Sequence, residues 1–181
     1  MRDLRTQRVS AWVDIIPGML EPLPPARRWV LRGEAAVRSA AGAALGLELP
    51  REACRASTAD GRACLWQGPD EWLILAPTAD AAPAVALSQA LATLPHSLVD
   101  VSHRQTALCI SGPKATILLA AGIALDLDER SFPVNMCTRT MLAKAEVVLW
   151  RTQPDAFHLE VWRSFAAYVS QYLAEAARGI I

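Results

Sequence analysis

Asp100, Ser102, His103 and Arg104 form the densest group of side chains able to move a proton or hold a charge in this 181-residue chain. They end an apolar run, Leu98 to His103, that reads as a strand, and functional groups collect at such ends. A nucleophilic triad needs a serine, a histidine and an acid converging in space. Ser102 and His103 are adjacent, so on a strand their side chains point to opposite faces and no local dyad can form. Asp100 and Ser102 share one face. His103 shares the other with Val99 and Val101, so a buried or half-buried structural histidine is expected there rather than a catalytic one.

Arg139 and Arg163 are the next candidates, because a guanidinium is the natural two-pronged partner of a carboxylate from Asp100, a ligand or another chain. Lys144 and Glu146 fall on one face of a strand and read as an ion pair. His96 and His158 stand alone and take no role. Cys54, Cys64, Cys109 and Cys137 make no Cys-x-x-Cys pair, and no histidine stands at zinc-finger spacing from them. They read as reduced, mostly buried thiols of a cytoplasmic protein, and no metal is expected. Gly42 and Gly46 do not make a GxGxxG pattern, so a dinucleotide site is unsupported.

The elements that must position these residues follow from periodicity. Residues 1–27 are rich in arginine and proline, lack a period and read as an irregular arm. Trp12 sits in that arm without a local core, so it either fills a pocket on another chain or folds back on its own sheet. Residues 28–181 read as one domain of two halves, 28–96 and 97–181. In the first, a strand at Trp29 to Leu31 is followed by a helix from Ala35 to Leu45. A hairpin through Gly68, Pro69 and Asp70 comes next, then a helix opened by Asp80 and Pro83. The second has strands at Leu98 to His103 and Thr106 to Ile110 and a helix opened by Ser111, Gly112 and Pro113. The paired strands Ala145 to Trp150 and Phe157 to Trp162 follow, with a last helix capped by Ser164 and ended by Gly179.

Strand, helix, two strands and helix, given twice, predict an α+β fold of two ferredoxin-like split βαβ halves with pseudo-twofold symmetry. Eighteen basic residues cancel eighteen acidic ones, and no basic stripe exists, which argues against nucleic acid as a partner. The apolar stretches are too short to cross a bilayer, and Arg2, Asp3, Arg5 and Arg8 lack the apolar core of a leader behind them, so no membrane segment is expected. Five of the six tryptophans fall on predicted strands as core or interface anchors.

A family likeness resides in Asp100-Val101-Ser102-His103-Arg104, Ser111-Gly112-Pro113, Leu125-Asp126-Leu127, Phe132-Pro133 and Cys137-Thr138-Arg139-Thr140. It continues through Leu142 to Arg151 and through Arg163-Ser164-Phe165-Ala166. These segments resemble the gamma subunit of heterotetrameric sarcosine oxidase, itself related to the folate-binding aminomethyltransferase of glycine cleavage. The resemblance implies a folate-binding aminomethyltransferase-like fold. It implies a non-catalytic subunit acting in assembly and stabilisation, partnered by alpha, beta and delta subunits. FAD, FMN, NAD, tetrahydrofolate and zinc are implied on those other subunits and none on this chain. The transferase carries an acidic pair on a strand leading to its folate pocket. Ala145 and Glu146 stand there, so Glu146 is the one acid left of a vestigial folate site. Trp12, Asp100, Ser102, His103, Arg104, Arg139 and Arg163 are then structural or interface candidates. The alternative is a stand-alone folate-binding aminomethyltransferase-like enzyme using Asp100 and Glu146 as its carboxylates.

Overall fold

In a computed structural model the described residues are 11–180, and Arg2, Asp3, Arg5 and Arg8 of the arm lie outside them. The first half starts with β2 (Ala26–Gly33), preceded by a short β1 (Leu20–Pro22), and turns at Gly33 into α1 (Ala35–Leu45). Val37, Ala41 and Leu45 recur every four residues, so they make one buried stripe on α1, which Gly46 ends in the left-handed conformation at φ 60°. Next come β3 (Ala56–Ala59), β4 (Arg62–Gly68) and β5 (Glu71–Pro77), the last two forming the expected hairpin. Pro83 lies in the first turn of α2 (Ala82–Ala90), and β6 (His96–Asp100) follows. The second half comprises β7 (Gln105–Ser111), α3 (Ala115–Ala120), β8 (Cys137–Leu142), β9 (Ala145–Gln153), β10 (Ala156–Trp162) and α4 (Ala166–Arg178).

These strands form two antiparallel sheets of five, β6-β2-β5-β4-β3 and β1-β7-β10-β9-β8. In each, the third strand of the repeat slots between the two strands joined through a helix: β5 between β2 and β4, β10 between β7 and β9. That is the split βαβ arrangement. Gly33 and Gly112 end equivalent strands for different reasons. A Cβ at Gly33 would lie 2.6 Å from the Val37 side chain, whereas Gly112 holds φ 102°, which side chains resist.

Four expectations need correction. The arm is not wholly irregular, because β1 pairs with β7 (Leu20 opposite Ile110) and so supplies the second sheet's edge, and β2 begins at Ala26. The strand expected over Leu98 to His103 runs from His96 to Asp100, where a tight turn begins, and it pairs with β2 in the first sheet. Ser164 caps nothing: it lies in a 3-10 turn, Arg163–Phe165, that leads directly into α4. Lys144 lies in the turn between β8 and β9, off the strand face that carries Glu146.

The core has three apolar layers, giving the order helix, sheet, sheet, helix. Val37, Ala41, Leu45 and Leu87 of α1 and α2 meet Trp29, Leu31, Trp72 and Ile74 of one sheet. Leu118, Leu119, Val169 and Leu173 of α3 and α4 meet Leu108, Leu149, Phe157 and Leu159 of the other. Trp12 joins this second layer, 6% exposed, and donates its indole N–H to Thr106 Oγ1 at 3.2 Å. It thus folds back on the chain's own sheet. Between the sheets Leu65, Leu73 and Leu75 face Cys137, Val148 and Trp150.

One ion pair crosses this middle layer. Arg28 of β2 donates its Nε–H to Glu160 Oε2 of β10 at 2.6 Å, with side chains 3% and 0% exposed. The other oxygen of Glu160 lies 2.8 Å from His158 Nε2. Burial alone would push the Glu160 carboxyl up, but the hydrogen bonds and charges of His158 and Arg28 together outweigh it and hold the group below the usual glutamate range. A carboxyl depressed in the folded state contributes stability above its unfolded pKa, and that contribution is lost as pH falls through the folded value. Chemical denaturation midpoints are therefore expected to drop as pH falls below about 4.3, and to drop less steeply in Glu160→Gln. Glu160→Ala is expected to cost about 3–5 kcal/mol, because it strands the Arg28 charge, whereas the joint replacement Arg28→Met with Glu160→Leu costs less than either single change.

Candidate functional site

The turn after β6 shows what the polar cluster does. Asp100 Oδ1 accepts the backbone N–H of Ser102 at 2.8 Å, closing a local turn. Ser102 Oγ accepts the backbone N–H of Arg28 at 2.9 Å, and Val101 donates its N–H to the Arg28 carbonyl at 2.9 Å. Both backbone groups of Arg28 are thereby held just where β2 runs past the end of β6. Ser102, side chain first and then backbone N–H, keeps the Asp100 carboxyl below the ordinary aspartate range. A chain of contacts thus runs from Asp100 through Ser102 and Arg28 to Glu160 and His158.

His103 is exposed in this turn, which corrects the expectation of a buried or half-buried side chain. The reason is the early end of β6: in a turn, alternation no longer sends His103 to the face of Val101, which is 5% exposed. Arg104 lies with its guanidinium carbon 5.3 Å from the centre of the Trp162 ring, and its carbonyl accepts the N–H of Arg163. The Arg163 side chain is exposed and makes no ion pair among the described residues. Arg139 does hold a carboxylate, but from the other sheet: its Nη2 lies 2.6 Å from Glu71 Oε1 of β5.

Three of these side chains converge. Arg104, Arg139 and Glu146 line a cavity of about 330 Å³ at one end of the space between the sheets, with Gln67, Gln105 and Trp162. Asp100, Ser102, His103, Arg163 and Trp12 are not in it. At the opposite end a larger opening of about 840 Å³ is walled by Leu23, Pro24, Pro25, Leu75, Trp150 and His158. Sequence reasoning missed Arg28 and Glu160, and took His158 as isolated. The available signal was a glutamate at an inward-facing register of β10, two residues from both His158 and Trp162.

Three of the reactive groups are committed or silenced. The Ser102 hydroxyl serves Arg28, and burial pushes the Cys137 thiol up to about 12 and the Cys64 thiol well above its usual value. All four cysteines are unpaired, and among the described residues no group of three His, Cys, Asp or Glu side chains could hold a metal. The arrangement joins the two sheets through Arg28 and Glu160 and through Arg139 and Glu71.

Known proteins match this sequence and fold. The family described as "Sarcosine oxidase, gamma subunit family" matches residues 32–179. The chain belongs to this family. The sarcosine oxidase gamma subunit of Corynebacterium sp. (strain P-1) is 36% identical over 134 residues, 74% of this chain and 66% of that protein. That of an Arthrobacter species is 36% identical over 139 residues, 76% of this chain and 68% of the relative, so the matches span about two thirds of the curated relatives' length. Among solved structures, a chain of the heterotetrameric sarcosine oxidase from Corynebacterium sp. U-96 in complex with pyrrole 2-carboxylate superposes with a TM-score of 0.84 at 30% identity. It covers 88% of this chain and 83% of its own. Aminomethyltransferase T of the glycine cleavage system from Bartonella henselae shares the fold, at TM-score 0.64 and 15% identity over 88% of this chain and 46% of its own. The family member described here therefore has the transferase's fold, with Asp100 and Ser102 bonded into the turn beside β2.

Ser102→Ala is expected to lower stability by about 1–2 kcal/mol by orphaning the Arg28 N–H, while His103→Ala stays within about 0.5 kcal/mol of the parent. Thermal melts of the two variants check this, and equal losses would contradict the assigned roles.

Proposed function

We propose that this chain is the gamma subunit of a heterotetrameric sarcosine oxidase and that it acts by holding the larger subunits together, without reacting groups of its own. Membership of the gamma subunit family carries this reading. The commitment of Ser102 to Arg28 supports it, because the one hydroxyl in the polar cluster is already spent. Its partners are the alpha, beta and delta subunits, which carry FAD, FMN, NAD, tetrahydrofolate and zinc, and the assembly oxidises sarcosine in the cytoplasm. Among the described residues no helix is long and apolar enough to cross a membrane. Exposed apolar side chains such as Ile117, 59% exposed on α3, and Phe165, 40% exposed before α4, supply contact area to the partners.

Co-expression of the four subunits with and without this chain tests the reading. Omission is expected to lower the yield and melting temperature of the assembled oxidase, and Phe165→Ser to weaken capture of the partners about tenfold with an unchanged melt of the isolated chain. An assembly equally stable without the chain, or turnover of sarcosine by the chain alone, would overturn it.

A further inference from the structure

β6 lies at one end of the first sheet, with β2 on one side of it and no strand among the described residues on the other. Register decides which of its backbone groups are left over. Val101 donates its N–H to the Arg28 carbonyl, so Val99 and Ser97, two and four residues back, turn their peptide groups toward Val30 and Arg32 of β2. The N–H and C=O of Leu98, between them, therefore point away from the sheet. The other three sheet ends are short or already engaged. Arg55 before β3 bridges Met136 before β8, Ala56 donates to Asn135 and Cys137 to Cys54, and Leu142 at the far end of β8 bridges Ile123. β1 is three residues long and leads into Leu23, Pro24 and Pro25.

An open edge is a template for pairing with another chain, and proteins that stay alone blunt it with lysine, proline or a bulge. β6 is five residues in unbroken register, His96-Ser97-Leu98-Val99-Asp100, without any of these. Val99 faces the cleft and is 50% exposed, and Trp162, which lines the same cavity, is 44% exposed. Arg104 lines that cavity too, its guanidinium over Trp162, and its carbonyl accepts the N–H of Arg163. Neither arginine pairs with a carboxylate among the described residues, Glu146 of the cavity included. The outward peptide of Leu98 calls for an extended chain, Val99 and Trp162 for an apolar side chain, and Arg104 for an acid. We propose that β6 accepts a strand from another subunit of the oxidase. The cleft-facing positions of that strand carry an apolar residue beside Val99 and, two residues on, an aspartate or glutamate for Arg104. A second copy of this chain fits less well, because the one acid of its β6, Asp100, lies on the face opposite Val99. The inference rests on the assembly reading and adds to it where one partner attaches and in what conformation.

Hydrogen exchange resolved to single amides, on the isolated chain and on the co-expressed four-subunit oxidase, tests it. In the isolated chain the Leu98 amide is expected to exchange freely while those of Val99 and Val101 are slow. In the oxidase the Leu98 amide is expected to slow at least about a hundredfold, which erases the alternation. Val99→Lys sets a charge on the cleft side of the edge and is expected to weaken capture of the partners about tenfold or more. Val99 is half-exposed, so the melt of the isolated variant is expected to match the parent. Arg104→Glu is expected to weaken capture as well. An assembled oxidase in which Leu98 exchanges as freely as in the isolated chain would overturn the proposal and leave the assembly reading standing. Failure of the chain to co-purify with the other subunits would overturn both. Slowing of Leu98 in the concentrated isolated chain, together with a dimer mass, would give the edge to a second copy and overturn the proposal likewise.

Discussion

Arg28 and Glu160 meet in a layer that water does not reach, and the relative placement of the two sheets depends on that meeting. Removing two charges from water costs several kcal/mol each, so the pair earns little net stability by itself. Its value lies in direction. The apolar layer of Leu65, Leu73, Leu75, Val148 and Trp150 would tolerate a sliding of one sheet over the other, because dispersion contacts are non-directional. A guanidinium held to a carboxylate at 2.6 Å does not tolerate it. Glu160 is fixed from its own sheet by His158, and Arg28 by its Nη1–H donated to the Ala26 carbonyl at 2.9 Å and by the turn that follows β6. At one end of the cleft the contact between Arg139 and Glu71 repeats the device across the same two sheets, in a wetter setting where it contributes less.

Most elements were legible in the sequence because their periods are local. The stripe Val37, Ala41, Leu45 and the hairpin around Pro69 and Asp70 need no knowledge of what packs against them. The repeat was legible for the same reason except at one strand in each half: β3 and β8 were not anticipated, so the order is strand, helix, three strands and helix. The partnership of Arg28 with Glu160 was not legible. Alternation along β10 places His158, Glu160 and Trp162 on one face, and a polar face ordinarily meets solvent. Only the first sheet, whose Arg28 lies 132 positions away in sequence, turns that face into an interior. β1 escaped for a related reason, since its partner β7 belongs to the far half of the chain, and the same separation from Thr106 left Trp12 open between another chain and its own sheet.

The two sheets share a strand order but not a chemistry, and the difference can be located. Each hairpin carries a bulge, Gln67 in β4 and Thr152 in β9, at comparable places beside the turn. The Thr152 hydroxyl donates to the Ala156 carbonyl at 3.2 Å and is satisfied within its own hairpin. Gln67 has a longer side chain with both a donor and an acceptor, and the hairpin satisfies only the donor. The cavity that gathers Arg104 and Glu146 lies at one end of the cleft, while the opposite end is walled largely by alanine, proline and leucine.

The segment from Asp100 to Arg104 invites a catalytic reading, since it places an acid, a hydroxyl, an imidazole and a guanidinium in five positions. Its geometry gives each a different task. Asp100 closes the turn, Ser102 receives the N–H of Arg28, His103 stands in solvent, and Arg104 lies over Trp162. A general base must reach the proton it takes, and here the imidazole and the hydroxyl are neither bonded to one another nor aimed at a common point. What the segment accomplishes is upstream of chemistry: by fixing the backbone of Arg28 at the end of β6, it sets where the guanidinium enters the middle layer, and hence how the sheets sit and how wide the cleft opens beside Glu146. Residues with catalytic types can thus be retained on a fold for the conformation they impose, because an Asp-x-Ser turn satisfies backbone groups that an apolar turn would leave exposed to desolvation.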